Sequence, residues 1–542
     1  MCRMLNNLRM KKNSFKIRKL ILFFSLLYAG WGFSQQQVWN PDNGDGTFTN
    51  PLLWGDWPDP DVIRVGDDFY MVSTSMHYVP GCPILHSRDL VNWEMVGYAV
   101  ERYDEDPRYD LQGGSLYLNG SWAATMRYRD GKFYVGFCTP NGWGREKGNF
   151  SMCIADRPEG PWERVVFPEY MYDPGLLFDD DGRVYVVHGQ GTLYVTELAK
   201  DARSVISEPR KIWSGGFKNA HELGGGFGME GAHAYKINGK YYITCPAGGT
   251  EGWQICLRSD HIYGPYEHRL IMNDSLSYPP NGLHQGGMVQ LKNGDWWFII
   301  MQDRGPIGRV PCLVPVTWKD GWPMLGDDGK DVVTYPKPET GKRNRNRILS
   351  PATSDEFNGH KLGLQWQWNH NPDPTRWSLT ERKGYMRLKA AKADVLKNAR
   401  NTLTQRVQGP LSQGTVEMDF SALKEGNVAG FGIFEFPYAY IAVVRHEGKN
   451  RLVMCIDDVE QETVEDIPGD KVWIRARTTD RDFIASFFYS LDGVHFHKLG
   501  SDLRMGLGLV WTANRFALFN YSRTDEGVDG FADFNWFRYT NK

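Results

Sequence analysis

The sequence predicts an all-β protein, a five-bladed β-propeller followed by a β-sandwich. Three observations lead there. A turn followed by an aromatic strand recurs five times; aromatic residues reach 14% beside 59 Gly and 29 Pro; and alternating strand patterns resume after a polar interruption near residue 340. Such a chain is built of many short strands joined by tight turns. Its 542 residues suit two or three domains, and 41% hydrophobic against 23% charged residues is the balance of a chain that buries a large core. The same composition excludes coiled coil, collagen and disorder. A net charge of −3 supplies no basic footprint for nucleic acid.

The first element, residues 1–34, reads as an address rather than as fold. Seven basic residues and no acid (Arg3, Arg9, Lys11, Lys12, Lys16, Arg18 and Lys19) precede an apolar run from Leu20 to Leu27. That is the pattern of a secretory signal peptide, and the run is short for a membrane span. No Cys stands near the expected cut, which argues against a lipoprotein. Removing these residues takes away seven positive charges and moves the net charge from −3 to −10. The expected mature protein is acidic and exported to the periplasm (secretion being the alternative), with no membrane span. Seven Cys remain, an odd number without a C-x-x-C pair, and most stand in apolar strand-like runs. Buried free thiols are expected rather than disulfides or a zinc site.

The second element spans residues 35–336. Its repeat units are Gly66-Asp67-Asp68-Phe69-Tyr70, Asp130-Gly131-Lys132-Phe133-Tyr134, Asp181-Gly182-Arg183-Val184-Tyr185, Asn238-Gly239-Lys240-Tyr241-Tyr242 and Asn293-Gly294-Asp295-Trp296-Trp297. Asp-Gly and Asn-Gly are strong hairpin signals, because tight hairpin turns need positive φ. The second aromatic recurs at intervals of 64, 51, 57 and 55 residues. A repeat of that length, holding about four strands, is a propeller blade. Residues 337–349, polar and without periodicity, form a linker. Beyond them, residues 350–542 alternate as in Gly414–Phe420 and Val472–Arg477 and read as a separate sandwich.

About twelve residues before each repeat aromatic stand Asp59, Trp122, Asp173, Glu230 and His284. Each belongs to the strand that enters the hairpin, which in a propeller is the innermost strand. Five equivalent positions therefore face one axial funnel, and three of them are acids. One carboxylic acid can protonate a leaving oxygen while a carboxylate activates water, which is the chemistry of glycoside hydrolysis. A third acid holds the general acid protonated by like-charge repulsion. Trp57, Tyr78 and Trp122 are candidates to stack on sugar faces. A phosphate-binding Gly-rich loop and a Gly-x-Ser-x-Gly nucleophile elbow are both missing.

These residues resemble glycoside hydrolase family 43, five-bladed propeller enzymes that remove arabinofuranose or xylose. The resemblance runs through Asp59-Pro60-Asp61, Ser87–Trp93, Asp173 with Phe178–Gly182, Met229-Glu230-Gly231, Gly308-Arg309 and Trp318–Pro323. Asp355-Glu356-Phe357 and Ala532–Phe537 resemble the concanavalin-like sandwich of two-domain members. Carried over position by position, the resemblance implies Asp59 as general base, Glu230 as general acid and Asp173 as the acid that tunes its pKa and orients the sugar. It implies Arg309 as a substrate contact, and His284 as the axial His that approaches a calcium ion in some members. His77 joins the candidate substrate contacts. No cofactor is required on this reading, and a structural calcium on the axis is the one ion it allows. Ala232 and Ala124 depart from the family's usual Pro, changes that touch pocket shape rather than chemistry.

The leading expectation is an exo-acting, inverting α-L-arabinofuranosidase acting on side chains of plant cell-wall polysaccharide: xyloglucan, arabinoxylan or arabinan. The alternative is a β-D-xylosidase acting on xylo-oligosaccharides. The Thr74–Gly81 loop resembles arabinofuranosidase-type members more than xylosidases. A non-catalytic carbohydrate-binding propeller would leave the three phased acids idle, and a fructan hydrolase would need an opening motif that the chain lacks. The expected partner is therefore a cell-wall oligosaccharide or polysaccharide.

Overall fold

The computed structural model describes residues 39–141, 144–219, 221–223, 228–341, 349–507 and 511–541. The signal segment at 1–34 lies outside the described residues, as does most of the linker at 337–349. Apart from four 3-10 turns, the regular structure of the described residues is strand. No helix among them is long and apolar enough to cross a membrane.

Five four-stranded antiparallel sheets follow one another as blades I to V. Their first strands are Asp61–Val65, Trp122–Arg129, Gly175–Phe178, His233–Ile237 and Leu283–Gln290. These strands surround the axis, and Asp61 shows it. Its carboxylate, fully buried on blade I, accepts from Met126 N (2.8 Å), Thr125 Oγ1 (3.0 Å) and Arg127 Nη1 (2.7 Å) on blade II, and lies 3.3 Å from His233 Nδ1 on blade IV. A Cβ added to Gly287 on blade V would come within 2.5 Å of it. Arg127 continues the tie by donating to Ala234 O at 3.2 Å.

The repeat aromatics join each blade to the next. Tyr70 meets Phe133 (5.1 Å between centroids), Tyr134 meets Phe178 (4.8 Å), Tyr185 meets Tyr263 (6.1 Å) and Tyr242 meets Trp318 (5.3 Å). Trp297 of blade V meets Phe48 at 6.2 Å, which closes the ring. Edge-on contacts at these distances add to the burial of large apolar rings, so one aromatic per repeat is what the propeller needs. Strand Thr47–Thr49 pairs with Thr334–Pro336, and the Asn50 amide bonds the backbone of Leu313 and Val332. The ends of the propeller are thereby held to each other.

Two sheets of nine and eight strands form the concanavalin-like sandwich, whose inner faces share a core that includes Trp366, Phe431, Phe516 and Phe537. The sandwich that the sequence sets apart from the propeller is joined to it by one strand. Tyr78–Val79, a short strand of the propeller, pairs with Trp368 and Asn369 and becomes the edge of the nine-stranded sheet. Arg406 of the sandwich donates to Asp56 O at 2.7 Å. The seam is polar. Glu435, fully buried, accepts from Tyr78 Oη (2.8 Å) and Thr512 Oγ1 (3.2 Å), while Arg515 lies 3.5 Å over the Tyr78 ring. All seven cysteines of the described residues are buried and free.

Candidate active site

All five phased positions, Asp59, Trp122, Asp173, Glu230 and His284, line one cavity of about 580 Å³ at the axis. They stand at or just before the starts of the five inner strands, so the backbone delivers them from five directions to one place. Asp59 and Asp173 each precede a proline and each hold a left-handed backbone, φ 51° and 48°. Such a conformation costs a non-glycine residue roughly 1–3 kcal/mol and gathers at functional sites. It turns both carboxylates out of the strand direction toward the axis. Gly231 (φ 55°) follows Glu230, and a Cβ there would come within 2.6 Å of Gln285. Its N–H donates to Asp173 Oδ2 at 3.2 Å, which places one acid's carboxylate beside the other acid's backbone.

Glu230 accepts at Oε2 from Tyr172 Oη (3.3 Å) and from Gln190 Nε2. Asp59 Oδ1 accepts from Arg309 Nη1 at 2.8 Å. The Arg309 backbone N–H donates to Asp56 Oδ1 at 3.1 Å, which fixes the arginine from behind. Burial alone would lower the Arg309 pKa, but the carboxylates of Asp59, Asp56, Asp303 and Asp173 hold it above its ordinary value. Burial pushes the Asp56 carboxyl up, against the pull of Arg309, Arg515 and Arg406. Nε and Nη2 of Arg309 are buried without a hydrogen-bond partner, as is Asp303 Oδ1. Buried polar groups of this kind are normally satisfied, and both residues line the cavity. They present two donors and an acceptor to whatever enters.

The structure brings six of the nine expected site residues into this cavity: Asp59, Trp122, Asp173, Glu230, His284 and Arg309. It does not bring Trp57, His77 or Tyr78 there. His77 is fully buried in the seam, with Nε2 3.0 Å from Asn369 Oδ1. Burial there, with Arg515 and His370 near, holds its pKa well below the ordinary value. Tyr78 is committed to Glu435, and the Trp57 ring lies 3.9 Å under Arg406. The cause is the sandwich, which covers the loop that a bare propeller would expose. The Thr74–Gly81 loop reaches the cavity through Met76.

Sequence reasoning missed Tyr172, Gln190, Asp303 and Trp511. Tyr172 adjoins Asp173 and could have been found by proximity. Gln190 and Asp303 end second strands of their blades and fall outside the repeat phase. Trp511 comes from the sandwich yet lines the cavity, and nothing in a propeller repeat announces it.

His284 Nε2 lies 2.8 Å from Asp303 Oδ2. Among the described residues no three His, Cys, Asp or Glu side chains gather as metal ligands; the calcium that the family resemblance allows near His284 is one bound mainly through water, and no chemical step is assigned to it. Turnover is expected to stay unchanged, within about twofold, after dialysis against excess chelator. A large loss restored by calcium alone would reverse that.

Three converging carboxylates, an arginine with unspent donors and aromatic walls, at the end of a propeller axis, are the site of a glycosidase. The family model for glycosyl hydrolases family 43 matches residues 48–323, and that for the β-xylosidase C-terminal concanavalin A-like domain matches residues 354–540. The chain belongs to glycosyl hydrolase family 43. It is 31% identical to a β-xylosidase of Formosa agariphila, covering 92% of this chain and 91% of the other. It is 33% identical to a non-reducing end α-L-arabinofuranosidase of Bacteroides ovatus, with 83% and 81% covered. Among solved structures, the bifunctional GH43-CE protein of Bacteroides eggerthii superposes with a TM-score of 0.82 at 36% identity. That match covers 91% of this chain and 64% of that one, so the chain spans less than two thirds of that protein's length.

Proposed function

We propose that the protein is an exo-acting, inverting glycosidase that releases non-reducing-end α-L-arabinofuranosyl units from plant cell-wall polysaccharide side chains. The observation that carries this reading is the placement of Asp59, Asp173 and Glu230 from three blades around one cavity. Asp59, held by Arg309, draws a proton from the attacking water. Glu230, held by Tyr172 and Gln190, delivers its proton to the leaving oxygen. Asp173, beside the Glu230–Gly231 peptide, disfavours a second negative charge nearby and so keeps that proton in place. The free donors of Arg309 and the free oxygen of Asp303 take sugar hydroxyls, and Trp122 gives an apolar wall.

The second reading is a β-D-xylosidase, favoured by the Formosa relative's name and by the C-terminal family model. The arabinofuranosidase of Bacteroides ovatus supports the first. The Thr74–Gly81 loop weighs less than its sequence promises, because His77 and Tyr78 turn into the seam. Rates on the nitrophenyl α-L-arabinofuranoside and β-D-xyloside decide between the two. Activity on the xyloside alone would replace the first reading. An inverting enzyme needs its carboxyls roughly 6.5–9.5 Å apart to admit water, and NMR of the first-formed sugar should show the inverted anomer. The basic and then apolar segment at 1–34 supports export to the periplasm.

A further inference from the structure

The backbone N–H groups of both aspartates of the site donate to sulfur. Asp59 N–H reaches Met301 Sδ at 3.2 Å and Asp173 N–H reaches Cys138 Sγ at 3.4 Å, both contacts buried. Each aspartate stands two residues ahead of its inner strand, whose pairing begins at Asp61 and at Gly175, and each holds a left-handed backbone. A buried N–H in such a place needs a partner outside the ladder. The two sulfurs come from equivalent positions. Cys138 lies in the second strand of blade II, Lys132–Asn141, and Met301 in that of blade V, Trp296–Asp303. Each stands four residues after its repeat aromatic, Tyr134 or Trp297, and pairs across from a phased cavity residue of its own blade, Trp122 or His284. Each belongs to the blade that precedes the aspartate's own around the ring. The same repeat position is Thr74 in blade I, Gly189 in blade III and Pro246 in blade IV, and the blades after those carry Trp122, Glu230 and His284. At this position sulfur stands where the next blade offers an aspartate, and not elsewhere.

We propose that Met301 and Cys138 are positioning residues: each sulfur fixes the peptide plane of the aspartate on the next blade, and thereby the direction in which its carboxylate enters the cavity. The proposal rests on the glycosidase reading above. Thioether and thiol sulfur are weak acceptors, but they are large and polarizable. They satisfy the N–H and fill the space around it without setting another charge beside the carboxylate. Burial, with Asp173 and Asp59 near, pushes the Cys138 thiol well above its ordinary value, so it stays protonated. Its Sγ also lies 4.0 Å from Trp122 O, so one side chain touches both Asp173 and the apolar wall. Met301 itself lines the cavity. Misplacing a reacting group by about 1 Å costs up to ~10²-fold in rate, which is the scale on which such a support acts.

The test sets variants that delete the acceptor, Met301→Leu and Cys138→Ala, against variants that keep one, Met301→Gln and Cys138→Ser. Met301→Leu is expected to lose ~10–100-fold in kcat on an oligosaccharide and on a dinitrophenyl glycoside alike, with KM little changed, because Asp59 activates water whatever leaves. Met301→Gln should recover most of that loss. Cys138→Ala is expected to move the basic limb of the pH profile to lower pH. A displaced Asp173 repels the Glu230 carboxylate less, so the acid gives up its proton earlier. Cys138→Ser should restore the limb. Each sulfur is judged by its own pair. Wild-type kinetics in the deletion variant overturn its role, and so does a loss that the acceptor-keeping variant fails to rescue, since volume and not the acceptor would then be at work. A variant that melts early is assayed well below its midpoint under the same criteria. If the wild type turns over no glycoside, the functional reading has failed by itself, and crystal structures of the deletion variants decide the proposal. A displaced carboxylate at residue 59 or 173 supports it; an unchanged backbone and carboxylate at both overturn it.

Discussion

Glu230→Ala should lose ~10²–10⁴-fold in kcat on an oligosaccharide, the usual worth of a general acid, and far less on a dinitrophenyl glycoside. A sugar alkoxide leaves only with a proton, whereas a dinitrophenolate departs unaided. Asp59→Ala should abolish both reactions, because water must be activated whatever leaves. Asp59 Oδ1 accepts from the Arg309 guanidinium at 2.8 Å, and Tyr172 and Gln190 are among the partners of Glu230. The comparison to make is oligosaccharide against activated aryl glycoside for each variant. If the better leaving group rescues Asp59→Ala instead, the acid and the base are the other way round.

Arg127→Met should destabilise the protein by ~3–5 kcal/mol, the cost of leaving a buried carboxylate without its charged partner. Asp61 sits at the axis with no exposure. Burial raises its pKa, but Arg127 first and His233 next pull it below the ordinary carboxylate value. A depressed folded-state pKa contributes stability above the unfolded value of about 3.9, which is lost as pH falls through the lower folded value. In the wild type that loss is confined to strongly acid solution. Without Arg127 it should begin at higher pH. Denaturation midpoints across pH for Arg127→Met, Asp61→Asn and the double variant would measure the coupling. Additive effects of the two single changes would refute it. Activity should fall along with stability. Asp61 follows Asp59 by two residues and His233 follows Glu230 by three, so this cluster fastens together the strands next to Asp59 and Glu230.

Much of the fold could be read from the chain because a propeller is a local object repeated. Each hairpin announces itself by turn residues and by one aromatic that must bridge to the next blade, and both are fixed by positions near in sequence. The phase of Asp59, Asp173 and Glu230 within that repeat was legible for the same reason. A residue at the mouth of one inner strand has equivalents at the mouths of the others, and all face the axis.

What the repeat could not carry was decided by contacts between distant segments. Trp57 and Tyr78 look like sugar platforms on an open propeller and His77 like a substrate contact, yet they are buried because Arg406, Glu435 and Arg515 of the sandwich lie against them. Trp511 enters the cavity from that same sandwich, and Asp303 and Gln190 reach the acids' surroundings from second strands outside the repeat phase. The sequence by itself therefore determined the propeller and the three carboxylates, since these follow from short-range pattern, while the ring is closed by pairing between its distant ends. The tertiary structure alone decided which aromatic side chains face the substrate and how each acid is held. Those properties depend on how two domains share one sheet, and no spacing along the chain encodes that pairing.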